Sequence, residues 1–353
     1  MKKLLLALCA VMMFSLSACK KDNVEPENPS GSGNGGSNHQ TEIPTGEGVF
    51  NPAQRIVGIS IDGEESEEWE WANDVLTAIM TADGGNMIET SSFEYDNYRV
   101  SRMFTRFQGM PLEVEYTYTG DKLASVMATS GSMEILSIVF GHNATGKVSN
   151  MTMSVNEYVL AMLSQLIGNE FPNIFGKGPL ATMERKLNIQ STSFSADMDW
   201  QGENVTRFIL NGEIGVEATL AEIRQMVNID SLLGTYASFL SVIPDSTVIP
   251  MTIVVCDTNE FTYDSQHNPF YGFLGRIDPT VFSANNVTAS TTGLSAVLTA
   301  TLNLGFMTLP LSFPLPLPVE AAPQSFTYTY DAAGFPVTAT DGNGSVTQYI
   351  YQQ

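Results

Sequence analysis

Apolar and polar residues alternate along most of this chain, and Asn, Asp and Gly punctuate the alternation at short intervals. The clearest copy is Phe326-Thr327-Tyr328-Thr329-Tyr330, followed by Asp331-Ala332-Ala333-Gly334 and a second apolar run from Phe335. In a strand, residues two apart share a face, so Phe326, Tyr328 and Tyr330 lie together and the threonines lie opposite. Asp and Gly suit the side-chain-to-backbone bonds and positive φ of a hairpin turn. The same unit recurs at Glu68-Trp69-Glu70-Trp71, Phe93-Glu94-Tyr95, Val114 to Tyr118 and Ile138-Val139-Phe140. Aligned on Trp71, Tyr95, Tyr118 and Phe140, the steps are about 24, 23 and 22 residues, a repeat period. Each hairpin buries one face and needs neighbours. The expected fold is mainly β, an open twisted antiparallel meander of such hairpins with the aromatics covered.

The period breaks after Met151. Asn156 to Ile167 has a helical pattern with Asn156 as N-cap and Gly168 as stop. Val216, Leu220, Ile223, Met226 and Val227 have helical spacing, and Ser231 to Ile243 is a further helix candidate. One to three helices are therefore expected as insertions, around 156–190 and 212–245. The repeat returns at Phe194 to Leu210, at Met251 to Asp264 and in the terminal strands. Leu309 to Val319 is apolar but holds Pro310, Pro314, Pro316 and Pro318, which excludes a membrane helix or a central strand. An extended edge segment is expected there.

The leader changes the picture. Lys2 and Lys3 precede an apolar stretch, Leu4 to Leu16, too short to span a bilayer. Leu16-Ser17-Ala18-Cys19 resembles the bacterial lipobox. That resemblance implies removal of residues 1–18 and a lipidated Cys19 at the mature N-terminus. Lys20 to Gly48 is rich in Gly, Ser, Asn, Pro and Glu, the composition of a flexible tether. Residues 19–48 are read as lipidated N-terminus and tether, and 49–353 as one repeat-built β domain. Gly31 to Gly36 matches a dinucleotide fingerprint, but neither strand nor helix frames it, so no cofactor is expected.

Asp and Glu total 38 against 16 Lys and Arg, a formal charge of -22. Nucleic acid and bare anionic lipid require local positive charge and are disfavoured as partners. Cys9 leaves with the leader and Cys19 is lipidated, so Cys256 is alone. It lies in the apolar run Ile253 to Cys256 and is expected to pack in the core.

Tyr328-Thr329-Tyr330-Asp331 and Phe261-Thr262-Tyr263-Asp264 look like the YD repeats of RHS-type surface proteins. With the lipobox, the tether, Asn268-Pro269-Phe270 and the Tyr-rich last strand, the chain resembles Bacteroidetes lipoproteins of uncharacterised function with YD-like β-hairpin repeats. That resemblance implies an outer-membrane lipoprotein, periplasmic or surface-facing. It implies no catalytic residues. Roughly seven units are too few for an RHS shell.

No catalytic constellation emerges from the residues. His39, His142 and His267 have no metal-ligand spacing, and no metal is expected. Asp341 to Ser345 lacks the calcium-loop pattern and reads as a turn. Glu64, Glu65, Glu67, Glu68 and Glu70 read as a solvated acidic face. Trp69, Trp71 and Trp200 read first as core and second as a sugar-stacking platform. The expected function is a membrane-tethered binding or scaffold module, with a glycan or an envelope protein as ligand. The alternative is a carbohydrate-active hydrolase using paired carboxylates.

Overall fold

The computed structural model describes residues 46–107, 109–156, 188–221, 243–276, 278–303, 308–314 and 321–353. The first half runs β1 (Ile56–Ile61), β2 (Glu64–Ala72), β3 (Val75–Asp83), β4 (Asn86–Asp96), β5 (Arg99–Phe107), β6 (Met110–Thr119), β7 (Lys122–Ser130), β8 (Met133–His142) and β9 (Val148–Val155). The second half runs β10 (Asn188–Gln201), β11 (Asn204–Thr219), β12 (Val248–His267), β13 (Asn285–Asn303), β14 (Thr308–Pro314), β15 (Ala321–Tyr330), β16 (Pro336–Asp341) and β17 (Val346–Tyr351).

Each strand from β1 to β13 pairs antiparallel with its sequence neighbours. β14 and β15 lie one after the other along one edge of β13. β15, β16 and β17 continue the meander, and β17 pairs back onto β1. The meander is therefore not open: it closes into a barrel of sixteen strand positions.

Turn chemistry explains the hairpins. Asn73-Asp74, Asn97-Tyr98, Asp62-Gly63 and Gly84-Gly85 hold positive φ at both central residues, the twist that hairpins favour. Three other turns share one larger geometry. Asn143, Asp331 and Asp341 each accept backbone N–H bonds from residues two and four further on. Gly146, Gly334 and Gly344 then take the left-handed conformation, at φ 84 to 88°. Backbone hydrogen bonds hold the carboxyls of Asp331 and Asp341 below the usual range. The Asp-x-x-Gly of the motif is thus turn chemistry, as expected.

Closure has a local cause. At one level of all eight hairpin-like pairs the second strand carries an extra residue: Val57, Thr77, Ser101, Ala124, Ser149, Thr206, Thr288 and Val337. Such bulges bend a strand and raise its twist, and repeated bulges curl a sheet round on itself. The eighth pair is made by the two ends of the chain, with Tyr351 opposite Ile56 and Ile350 opposite Gly58. The bulges also correct the repeat alignment. The residue following each register shift is Trp71, Tyr95, Tyr118 and then His142, not Phe140.

Inward positions are mostly apolar and outward positions mostly polar. Trp69, Leu76, Phe93, Met103, Val114, Tyr116, Ile138 and Phe208 belong to one continuous core. Glu70, Glu94, Asp197, Asp199 and Arg207 face outward. Of the expected helices, 157–187 and 222–242 fall outside the described residues. Residues 212–219 continue β11 as strand, so Val216 belongs to no helix. Among the described residues Thr308–Pro314 is in register with β13 only, in keeping with the edge position its prolines required. Cys256 is half-buried and sits between the inward positions Val255 and Asp257, on the outer side, rather than in the core.

Candidate functional site

One end of the barrel, here the rim, carries the turns after β2, β4, β6, β8, β10, β12 and β15. There an aromatic side chain near the end of a strand reaches across to a backbone carbonyl at the start of the preceding strand. Trp71 donates to Ile56, Tyr95 to Leu76, Tyr118 to Val100 and Trp200 to Val148, at 2.7–2.8 Å. Tyr263 donates to Val205, Tyr328 to Val287 and Tyr351 to Pro336, at 2.5–2.8 Å. The bond gives the polar handle of each buried ring a partner. Burial pushes the Tyr95, Tyr118, Tyr328 and Tyr351 hydroxyls well above the usual phenol range, which keeps them protonated donors.

Two segments close the rim. The first, Gly46–Phe50, belongs partly to the stretch read as tether, but it is docked. Glu47 accepts from the Leu123 amide and meets His142 Nε2 at 3.0 Å. Gly48 lies against the Tyr118 ring so closely that a Cβ would meet its hydroxyl at 2.1 Å. Phe50 then enters the core beside Trp69, Trp71 and Phe273.

The second segment is the loop between β12 and β13, residues 268–284. Asn268 ties its ends together by donating to the carbonyls of Thr280 and Ser283. Phe273 packs among Phe50, Trp69 and Phe93, and the Leu274 carbonyl accepts from Tyr116. The loop is a plug inside the barrel.

At the tip of the plug, Arg276 Nη2 contacts both oxygens of Glu67, at 2.7 and 2.8 Å. Glu67 also accepts from Trp69 Nε1 at 2.8 Å. The guanidinium lies 4.8 Å from the Phe270 ring centre and 5.8 Å from that of Trp69. Glu67 is four residues below Trp71, so the pair sits about 13 Å inside the rim. Burial pushes the nearby Tyr349 hydroxyl up to about 12, with Arg276 pulling it down and Glu67 pushing it up. The acidic run is thus split by the pleat: Glu64, Glu65 and Glu70 are exposed, and Glu67 points inward with the tryptophans.

The three tryptophans do not form one platform. Trp69 is 2% exposed, and Trp71 is half-buried under Arg55. Trp200 stands eight strands away round the barrel, under Lys147. Each spends its Nε1 on an internal acceptor. Cys19 lies outside the described residues.

Glu47, Glu67 and Asp264 are each held by their own partners, Asp264 by Tyr330, Asn286 and the Gln266 amide. Among the described residues no group of acidic, His or Cys side chains has metal-holding geometry. Tyr263-Asp264 of the YD-like stretch lies within β12, which continues to His267.

Asp257 is the exception. It points inward on β12 between Leu210 and Leu294, is 4% exposed, and leaves Oδ1 with no partner. Burial raises its pKa above the ordinary 3.8, opposed in part by a hydrogen bond with Asn259. The folded carboxyl holds its proton to a higher pH than the unfolded chain does. Stability therefore falls as pH rises above the unfolded value, until the folded group ionises as well. Asp257→Asn is expected to stabilise the protein by about 1–2 kcal/mol near neutral pH. The gain should fade toward about pH 4 in thermal melts across pH. A gain that persists at low pH would show that charge is not the cause.

A comparison with protein-family models and with curated proteins finds no match for this chain.

Proposed function

We propose that this chain is a lipid-anchored cell-envelope protein whose barrel is a binding or scaffold module held off the membrane by its tether. The observation that carries the reading is Leu16-Ser17-Ala18-Cys19 behind a basic and apolar leader, followed by the Gly- and Ser-rich stretch. A single hydrocarbon chain anchors a protein only marginally, and a multiply acylated cysteine anchors it firmly.

The barrel surface supports the same reading. A membrane-spanning barrel presents an apolar band outward and a polar lumen inward. Here the order is reversed. Arg102 lies between Glu94 and Glu113 on the outside, and Arg207 between Asp199 and Glu260, all about half exposed. Such pairs favour water, which supports the lipid rather than the barrel as the proposed membrane contact.

Cys19→Ala is expected to move nearly all of the protein from the membrane pellet to the soluble fraction after cell fractionation. Unchanged membrane association would overturn the lipid anchor. An array of glycans and a pull-down of envelope proteins on the full chain then address the ligand.

A further inference from the structure

We propose that the barrel interior beside Arg276 binds a neutral, oxygen-rich ligand of the sugar class, held by Arg276, Glu67 and the Tyr349 hydroxyl against the Phe270 ring. The inference rests on the binding-module reading above and gives that module a place and a ligand chemistry.

Arg276 spends only Nη2, on Glu67; Nε and Nη1 have no hydrogen-bond partner among the described residues. The Tyr349 hydroxyl has none either, unlike Tyr328 and Tyr351 near it, which are bonded to carbonyls. These groups are not sealed off: the Arg276 and Glu67 side chains remain 23% and 13% exposed, so water reaches them inside the rim. An ion pair whose only task was to fill a core would be replaced at no loss by apolar side chains. Open donors on a wetted pair, below a rim whose aromatic donors are tied off bond by bond, are what a ligand site requires.

The chemistry of the ligand follows from the charges. Glu67 already neutralises Arg276, and the chain carries a net charge of -22, so an anion gains little and is repelled at long range. Three donor groups of two kinds, guanidinium Nε and Nη1 and a phenol, call for hydroxyl, ether or amide oxygens. Glu67 Oε1 accepts a single bond and keeps a lone pair for a ligand hydroxyl. Phe270 and Tyr349 stand 6.0 Å apart at 65°, an aromatic corner against which the C–H face of a sugar ring packs.

The test is saturation-transfer NMR on the full chain in a sugar-free detergent. The panel is glucose, galactose, mannose and N-acetylglucosamine at millimolar concentration, followed by titration of any sugar that responds. Tyr349→Phe keeps the ring and removes a hydroxyl with no hydrogen-bond partner among the described residues. It is expected to leave the melting temperature unchanged and to weaken the sugar about 5–10-fold, the worth of one hydrogen bond. Arg276→Lys keeps the charge, loses the planar fork and is expected to weaken it further.

No saturation transfer from any sugar overturns the proposal. So does equal affinity in Tyr349→Phe, or a lowered melting temperature, which would make the hydroxyl structural. If immobilised glycan or an envelope protein is still captured equally by wild type and Tyr349→Phe, the binding module stands and this interior site falls.

Discussion

A chain ending at Ser345, without Val346–Gln353, is expected to lose cooperative unfolding rather than melt at a slightly lower temperature. β17 supplies the aromatic half of the eighth unit, and β1, nearly three hundred residues earlier, supplies the bulged half. Without it the sheet has two free edges, at β16 and β1, and no neighbour to satisfy them. Tyr349 and Tyr351, which pack against the core, leave with the strand. Half-burying two tyrosines at about 25 cal/mol per Å² contributes about 5 kcal/mol. A whole domain is stable by only about 5–15 kcal/mol. Tyr351→Phe is the mild control. It removes the bond to the Pro336 carbonyl and should cost about 1 kcal/mol. Far-ultraviolet circular dichroism during thermal melts separates the two, and a truncated chain that melts cooperatively within a few degrees of the full one would show that closure is dispensable.

That closure was only half legible in the sequence. The aromatic period and the turn residues announced antiparallel hairpins with covered rings, and the structure keeps both. The bulges had a signal that strict alternation hides. Ile56 and Ile59, Leu76 and Ile79, Val100 and Met103, Leu123 and Val126, Val148 and Met151, and Val205 and Phe208 are buried pairs three apart. In an unbroken strand such residues face opposite sides. An apolar spacing of three inside a strand marks an extra residue and hence curvature. The same reasoning would have placed His142, rather than Phe140, in line with Trp71, Tyr95 and Tyr118. The pairing of β17 with β1 had no local signal, because it joins segments at opposite ends of the chain.

The interior site divides in the same way. Glu67 shares its parity with Trp69 and Trp71, so the pleat alone puts it inside, although its acidic neighbours suggested a solvated face. Arg276 could not be assigned to it. The plug has no repeat and no periodicity, and only Asn268-Pro269-Phe270 and Gly272 marked it as irregular chain. What places it is packing over long sequence distance, Phe273 against Phe50, Trp69 and Phe93.

Phe273→Ala should therefore have the second-largest effect of any change considered. The ring is 3% exposed, with centroids at 4.9 Å from Phe50 and 5.0 Å from Trp69. Truncating a buried phenylalanine removes its transfer energy and leaves a cavity, which together cost about 3–5 kcal/mol. The loss does not stay at the ring. Phe273 joins Phe50 of the docked N-terminal segment to the plug, and the plug carries Arg276 to Glu67. Losing the anchor should loosen both and wet Trp69. Tyr271, on the same loop but about half exposed, is the comparison: its change to Ala should stay within about 0.5 kcal/mol. Urea titration followed by tryptophan fluorescence reads both quantities, the midpoint for stability and the red shift of native emission for Trp69. If the two variants unfold at the same urea concentration, Phe273 does not anchor the plug. A midpoint shift without a red shift would mean that the barrel weakens while the plug stays seated, so that Arg276 is held by its ion pair and Phe270 rather than by Phe273.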